Sequence, residues 1–328
     1  MKDEKNVSSY SFTVETYALF KNVDNSILGV NTFIESLGYK FIKVGLQAME
    51  QDFSSLLYMP KEFTTTMTVV NDEDEGISNE FFQILVQSTL FGHSALRDKG
   101  IMLLKRLDDF EQTVIDNKIS MSHDGMKALH ETDKFVKDLT QQFRLFKNGD
   151  VSSPMVFQIS KTDRHLHASM TDPYHKDGDI FSLTELEIAN LANIFSPVFK
   201  INPLTELAIS SFNLAYKSTD IRSRYITLMI CLESLFNQGI DQISHTISRH
   251  LAIIASSSMD EFYLHYKSIK KLYSLRSQII HGQKDVKAIK KETDELQDYV
   301  RLAINYCLKV DLDRKELFEK LNVFGFHE

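Results

Sequence analysis

The sequence predicts an α+β protein, in which a mixed α/β N-terminal domain of residues 1–180 precedes an all-α domain of residues 181–328. Short runs in the first part alternate apolar and polar residues, as in "YSFTVETY" (10–17), which is typical of a half-buried strand. After residue 180, apolar residues recur at helical spacing, and a helical-bundle core is expected over residues 202–322. Only 12 Gly and 5 Pro interrupt the 328 residues, which favours long helices.

The N-terminal domain combines further strand patterns with helical ones. Apolar or β-branched runs predict strands at 54–60 and 63–70, and a hairpin at 153–171 turns at residues 161–164. Helical periodicity marks the segments 79–91, 100–115 and 126–146. The stretch "TDPYHKDGDIFS" (171–182) is rich in turn-forming residues and is predicted to link the two domains.

Helix-start signals recur in the C-terminal domain. Ser182, with Glu185 three residues later, has the pattern of a capping box. Asn202 followed by Pro203 is a favourable cap and first-turn pair. Helical patterns then cover residues 182–195, 202–218, 220–237, 243–256, 259–282, 286–310 and 313–322. A compact bundle is therefore expected.

Charge is unevenly distributed along the chain. The formal net charge of −8 argues against bulk nucleic-acid binding by the whole protein. Residues 202–322, however, hold 17 basic and 15 acidic residues, and residues 260–291 hold eight basic and three acidic ones. A basic patch of this kind suits a polyanion, and it is equally typical of a solvated lysine-rich helix face.

Cysteine usage and hydropathy suggest a cytoplasmic protein. Cys231 and Cys307 both lie in apolar, helix-patterned segments, which is typical of small hydrophobic residues rather than of a disulfide framework. The N-terminus lacks an apolar leader, and no stretch approaches 18 uncharged apolar residues, so neither secretion nor a membrane span is expected.

Two charged residues interrupt the apolar faces of the predicted bundle. Arg276 lies four residues after Leu272 and four before Ile280, on the apolar stripe of its helix, where a charge needs a partner or a ligand. Glu233 is the only charged residue in "YITLMICLESLF" (225–236), and burial of its carboxylate is costly unless it is paired.

His281 follows Arg276 by five residues, about 140° around an ideal helix, and Gly282 allows the chain to leave the helix there. A purely structural explanation is also open. Basic residues near a helix C-terminus are favoured by the helix dipole, and Glu233 could form a structural bridge with Arg276 or with Arg249. The Arg-x4-His spacing alone is therefore weak evidence for a site.

The order of these segments resembles the HEPN superfamily (higher eukaryotes and prokaryotes nucleotide-binding). The segments "RYITLMICLESLF", "ISRHLAIIA", "IKKLYSLRSQIIHG" and "LQDYVRLAINYCL" are most similar to the ApeA-like HEPN domains of bacterial defence proteins. The resemblance covers residues 202–322, about a third of the chain. It implies an all-α helical-bundle HEPN domain and a metal-independent endoribonuclease that acts in antiphage defence by abortive infection.

The resemblance also assigns roles to residues. Arg276 would bind the scissile phosphate, His281 would act as general acid or base, and Glu233 would hold Arg276 in place. Ser277 would support the site, although many members have Asn, Asp or His directly after the arginine. The basic patch around the motif would contact RNA through Lys270, Lys271, Lys284 and Lys287.

The chemistry expected of these residues is coherent. RNA cleavage without a metal uses the substrate's own 2′-OH as nucleophile, which would spare DNA. The reaction needs one base for the hydroxyl proton and one acid for the leaving 5′-oxygen, and histidine suits either role near neutral pH. One chain carries a single motif histidine. A homodimer, or a higher oligomer, would bring together two histidines and two arginines.

No cofactor or metal is expected. The histidine pairs His245/His250, His165/His167 and His123/His130 lack Cys or acidic companions at zinc spacing. The chain contains no glycine-rich phosphate loop and no nucleophile elbow.

Two other functions stay open. The bundle could be a non-catalytic dimerisation, nucleotide-binding or RNA-binding module beside an N-terminal recognition domain, or a helical interaction protein in which Arg276 and Glu233 form a structural ion pair. In the nuclease hypothesis, the acidic N-terminal domain senses a phage-derived trigger or restrains the nuclease.

Overall fold

The computed structural model describes residues 7–43, 101–115, 123–160, 166–170, 178–237, 242–282 and 289–323. The chain divides into two compact units, one within residues 1–144 and 149–198 and the other within 145–148 and 199–328. The domain boundary predicted from the sequence follows residue 180, whereas residues 181–198 group with the first unit. The predicted strands at 54–60 and 63–70 and the predicted helix at 79–91 lie outside the described residues.

The first unit contains a five-stranded antiparallel sheet in the order β2-β3-β1-β4-β5. Its strands are β1 (Val7–Lys21), β2 (Tyr39–Lys43), β3 (Ile101–Ile115), β4 (Ser152–Ser160) and β5 (Leu166–Met170). β1 pairs with β3 from Val7↔Ile115 to Lys21↔Ile101. The strand predicted at 10–17 and the pairing of the predicted hairpin, β4 with β5, are confirmed.

Helices complete this unit. They are α1 (Asn31–Ile34), α2 (His123–Phe146) and α3 (Glu185–Ile194), with short 3₁₀ turns at Asn25–Val30 and Glu35–Leu37. Aromatic side chains form much of the core: the rings of Phe20 and Phe41 lie 5.0 Å apart, and those of Phe143 and Phe181 lie 5.1 Å apart. The helix predicted at 126–146 is confirmed by α2.

The helix predicted at 100–115 is wrong, because this segment forms strand β3. Its Leu, Met, Lys and Arg residues favour a helix locally. β3, however, lies between β1 and β2 and is hydrogen-bonded on both sides. Periodicity cannot distinguish an apolar run in a central strand from a buried helix, so the long-range pairing decides the structure.

The capping box lies two residues later than predicted. The Thr184 hydroxyl accepts a hydrogen bond from the Glu187 N–H at 3.2 Å, and the Glu187 carboxylate accepts one from the Thr184 N–H at 2.9 Å. Ser182 and Glu185 have the same spacing. Leu183 lies before the helix, and its N–H is held by Ser26, to whose Oγ it donates at 2.7 Å. The tertiary contact therefore selects the second of two overlapping patterns.

Every regular element that the structure describes in the second unit is a helix. Its helices are α4 (Pro203–Lys217), α5 (Ile221–Phe236), α6 (Ile243–Ala255), α7 (Met259–Ile280), α8 (Lys290–Val310) and α9 (Arg314–Val323). As predicted, Asn202 caps α4 by accepting from the Thr205 N–H at 2.9 Å, and Pro203 occupies its first turn. A mixed α+β architecture is thus observed, with all described strands in the first unit.

The core of the helical unit forms around α5. This helix buries seven side chains, Tyr225, Leu228, Met229, Cys231, Leu232, Leu235 and Phe236. It packs against four other helices, α4, α6, α7 and α8. Both cysteines are buried and form no disulfide, and burial raises the pKa of the Cys307 thiol to about 12. They therefore contribute to the core as small apolar groups.

A buried polar network crosses the same unit. Arg301 Nη1 lies 2.6 Å from Asp298 Oδ1, and Arg301 Nη2 donates to Asn148 Oδ1 at 2.7 Å. Gln297 donates to the Tyr216 hydroxyl at 2.8 Å. These bonds satisfy groups whose burial would otherwise be costly, and they hold α8 against α4.

His250 on α6 is 2% exposed and lies in an aromatic environment. Its ring centroid is 4.8 Å from that of Phe318 and 6.1 Å from that of Phe236. One ring nitrogen, Nε2, lies 3.0 Å from Asn322 Oδ1. Desolvation lowers the pKa of His250 below its usual value of 6.5, although the bond to Asn322 opposes the shift.

This shift predicts a loss of stability in mild acid. The unfolded chain binds the proton at a higher pH than the folded chain. The contribution of neutral His250 to the free energy of unfolding is therefore complete above pH 6.5 and is lost as the pH falls through the lower pKa of the folded state. In urea denaturation, His250→Gln is expected to lose less unfolding free energy than the wild type between pH 7.5 and 5. Identical losses in the two proteins would contradict this prediction.

Candidate functional site

Arg276 on α7 pairs with Glu233 on α5. Arg276 Nη2 donates to Glu233 Oε2 at 3.3 Å. Arg276 Nε is also 3.3 Å from Glu233 Oε1, but it is not aligned for a hydrogen bond. The side chains are 28% and 19% exposed, so the pair lies at the edge of the core and is partly open to solvent. Of the two pairings open to Glu233, the structure selects Arg276.

Tyr273 completes this cluster, which we call the Arg276 cluster (Glu233, Tyr273 and Arg276). The Tyr273 hydroxyl donates to Glu233 Oε1 at 3.0 Å, and the Arg276 guanidinium lies 5.7 Å from the centre of the Tyr273 ring. Burial, together with the Glu233 charge and hydrogen bond, raises the pKa of Tyr273, so the hydroxyl stays a donor at neutral pH. Glu233 is therefore held from two sides.

The local sequence explains why this pair lies at the rim. Four residues of α7 point into the core, Ile269, Leu272, Leu275 and Ile279. Arg276 is next to this stripe, one turn from Leu272, and it faces α5. Arg249, the other predicted partner of Glu233, instead donates to the Leu321 carbonyl at 3.1 Å and to the Asn322 carbonyl at 3.2 Å.

His281 is the C-cap of α7 and is exposed. Its N–H donates to the Ser277 carbonyl at 3.1 Å. Its backbone angles, φ −85° and ψ 7°, fall in a sparsely populated region where many active-site residues occur. Gly282 follows with φ +67°, a left-handed conformation that suits glycine and ends the helix.

The structure does not bring Arg276 and His281 into contact within one chain. α7 is regular up to Ile280, so the two side chains project about 140° apart around its axis. Among the described residues, none forms a hydrogen bond or an ion pair with the His281 imidazole. Arg276 faces α5, whereas His281 lies at the exposed end of α7.

The remaining predicted residues are placed as follows. Ser277 is exposed and supports His281 through its carbonyl oxygen. Lys270 and Lys271 are exposed on α7, and the Lys270 ammonium is 5.7 Å from the centre of the Tyr266 ring. Lys284 and Lys287 lie outside the described residues.

Sequence reasoning missed the role of Tyr273. Tyr273 is not among the residues singled out from the sequence, although a tyrosine three residues before an arginine lies on the same helix face. Its bond to Glu233 depends on the packing of α5 against α7, which local spacing does not reveal.

Within the described part of the chain, no group of three or more His, Cys, Asp or Glu residues is placed to hold a metal ion. None of the helices in that part is both long and apolar enough to cross a membrane. Comparison of the chain with protein-family models, with curated proteins and with solved structures found no match.

The ion pair is expected to contribute modestly to stability. Replacing Glu233 and Arg276 by alanine, singly and together, should give a coupling energy of about 1 kcal/mol in the free energy of unfolding, because solvent partly screens the charges. The pair Lys315–Glu319 is the control, since its side chains are 84% and 66% exposed and its coupling should be smaller. Equal couplings for both pairs would contradict a specific role for Glu233.

Proposed function

We propose that the helical unit is a metal-independent endoribonuclease of the HEPN type, and that it acts in bacterial antiphage defence by abortive infection. One observation carries the proposal. Arg276 is anchored by a carboxylate from α5 while its side chain stays 28% exposed, and an exposed histidine follows five residues later at the end of the same helix.

The anchored arginine suits phosphate binding. A guanidinium that is held in one orientation has lost its rotamer freedom before the substrate arrives, so less entropy is lost on binding. The exposed part of Arg276 can then stabilise the negative charge that develops on the phosphorus during cleavage. Tyr273 and Glu233 act as positioning residues in this mechanism.

His281 suits proton transfer. It is accessible to a substrate, and its backbone is held by the Ser277 carbonyl. In the proposed reaction, the imidazole removes the proton from the 2′-OH or protonates the leaving 5′-oxygen. Attack of the 2′-oxygen on phosphorus forms the P–O2′ bond and breaks the P–O5′ bond. The products are a 2′,3′-cyclic phosphate and a free 5′-hydroxyl.

A two-fold dimer would bring the two groups together. Arg276 and His281 of one chain project to different sides of α7, so a second copy is needed to oppose an arginine to a histidine. Exposed apolar residues near the Arg276 cluster favour such an interface: Ile230, three residues before Glu233, is 42% exposed, and Ile280, four residues after Arg276, is 54% exposed.

The separation of Arg276 from His281 within one chain also favours a second candidate function. A bundle in which Arg276 is committed to Glu233 can serve as a non-catalytic dimerisation, nucleotide-binding or RNA-binding module. The N-terminal unit would then recognise a phage or host component. In the nuclease proposal, that unit senses the phage-derived trigger.

The deciding test is expression of the intact protein and of His281→Ala in cells, with RNA ends mapped before and during phage infection. Fragments that end in 2′,3′-cyclic phosphate are expected from the wild type, and His281→Ala should reduce them by at least about 100-fold. The fold should be unchanged, because His281 is exposed. Purified RNA-cleavage assays at neutral pH would show the same ratio.

The matched control is His130→Ala, which removes another exposed histidine on α2. It should leave the RNA ends as in the wild type. Identical RNA from the wild type and from a folded His281→Ala protein, in infected as in uninfected cells, would overturn the nuclease and favour the binding module.

A further inference from the structure

One exposed stripe runs along α7 and ends at His281. Its members follow one another at alternating spacings of four and three residues, and we call them the α7 stripe: Tyr263, Lys267, Lys270, Ser274, Ser277 and His281. All of them are exposed. At about 100° per residue, each projects within about 40° of the line that joins Tyr263 to His281. Tyr263 lies about five turns, or about 27 Å, from His281 along the helix axis.

The lysines of the α7 stripe are available to an anion. Among the described residues, none forms an ion pair with Lys267 or Lys270. After its first turn, α7 contains no Asp or Glu. A row of exposed cations without carboxylates between them attracts a polyanion and raises its local concentration.

A pocket beside the stripe adds to this positive surface. Its volume is about 370 Å³, and it lies between α7 and the first turn of α8. Its three lysines are Lys267, Lys270 and Lys271. Leu272 and Leu275 in its wall are 1% and 4% exposed, and Oε2 of Glu292 is buried. The pocket therefore presents its lysines to a ligand, which suits phosphate groups and gives no selectivity for a base.

Tyr263 supplies an aromatic surface at the far end of the stripe. It is 54% exposed, and the centre of its ring lies 5.7 Å from that of Phe262, with the ring planes at 71°. Phe262 in turn stacks on Tyr266, with ring centres 6.0 Å apart, and both pack against the helical core. The Tyr263 ring is thus supported on one side and open on another. A ring that is already held in place loses little conformational entropy when a ligand stacks on it.

An aromatic ring followed by aligned cations is the combination that binds single-stranded nucleic acid. Unpaired bases stack on aromatic side chains, and lysines bind the phosphates between them. The bases of a duplex are stacked inside it and cannot reach Tyr263. A protein that covered Tyr263 through apolar contacts would leave Lys267 and Lys270 without a role. The α7 stripe therefore favours an unpaired RNA strand.

We propose that Tyr263 is a base-stacking subsite for the RNA substrate, about 27 Å from His281, and that Lys267 and Lys270 bind the phosphates between the two. The inference rests on the proposed ribonuclease function. At the 3.4 Å spacing of a stacked strand, about eight nucleotides bridge that distance, and a more extended strand needs fewer. The subsite accepts any base, because stacking requires only a π-face. It aligns the strand with α7 and so sets a minimum length for a tightly bound substrate.

The test is fluorescence anisotropy of a labelled 12-nucleotide oligo(U) RNA with the full-length His281→Ala chain, which prevents cleavage during binding. Adding Tyr263→Ala should raise the dissociation constant at least about fivefold, because one stacked base is lost. Tyr263→Phe keeps the ring and should bind as the His281→Ala parent does, whereas Tyr263→Leu should bind as Tyr263→Ala does. The matched control is Leu264→Ala, since this neighbour is 69% exposed but projects about 100° away from the stripe. It should leave the dissociation constant unchanged.

A base-free RNA isolates the stacking. An abasic strand of 12 nucleotides has the same phosphates and no bases, so Tyr263→Ala should not weaken its binding. The oligo(U) RNA annealed to oligo(A) should be equally insensitive to Tyr263→Ala, because its bases are paired. If Tyr263→Ala weakens binding of the abasic strand as much as that of oligo(U), or weakens neither, the stacking subsite is wrong.

The lysines predict a different signature. Lys267→Ala and Lys270→Ala together should weaken binding of the oligo(U) and abasic strands alike, and they should reduce the slope of log K against log salt by about 1.4. Lys309→Ala, which removes an exposed lysine in the last turn of α8, should leave the slope unchanged. An unchanged slope in the double variant would overturn the path along the stripe.

Binding and cleavage separate the two proposals. If RNA is cleaved in a His281-dependent way but Tyr263→Ala binds RNA as its parent does, the subsite is wrong and the ribonuclease stands. If stacking depends on Tyr263 but the wild type produces no 2′,3′-cyclic phosphate, the subsite stands and the ribonuclease fails. No binding of any RNA by a folded protein would overturn the subsite.

Discussion

Burial of α5 is the constraint on which the helical unit depends. The helix has apolar residues on nearly all sides, so neighbouring helices must cover it, and α4, α6, α7 and α8 do so. This covering leaves Glu233 at the edge between α5 and α7. A carboxylate in that position needs a cation, and Arg276 provides it. The geometry of the candidate site thus follows from the packing of an apolar helix.

The Arg276 cluster has a structural role and, in the proposed nuclease, a chemical one. Glu233 accepts hydrogen bonds from both Tyr273 and Arg276, which fixes the arginine without removing it from solvent. A fully buried pair would stabilise the folded protein little more, and a substrate could not reach it. A fully exposed pair would leave the arginine mobile. The intermediate exposure of the cluster is the property that makes a phosphate-binding role physically reasonable.

Different sides of α7 carry different parts of the proposed chemistry. The side facing α5 carries Arg276, and the exposed side carries Lys270, Ser274 and, at its end, His281. The pocket beside Glu292 lies on the exposed side as well. One long helix therefore carries an ion-paired arginine on one side and a lysine-rich surface on another.

Local signals predicted much of this protein from its sequence. These signals depend on neighbouring residues, so they can be recognised without a structure. They are the cap at Asn202, the helical periods, the β4–β5 pairing and the Arg276–His281 spacing. Tertiary structure decided the rest. β3 is a strand because it pairs with β1 and with β2. The capping box of α3 begins at Thr184 because the preceding residue is hydrogen-bonded to Ser26. The packing of α8 against α7 brings Glu292 close to the lysines of α7. These outcomes depend on contacts between residues far apart in the chain, which local periodicity does not encode.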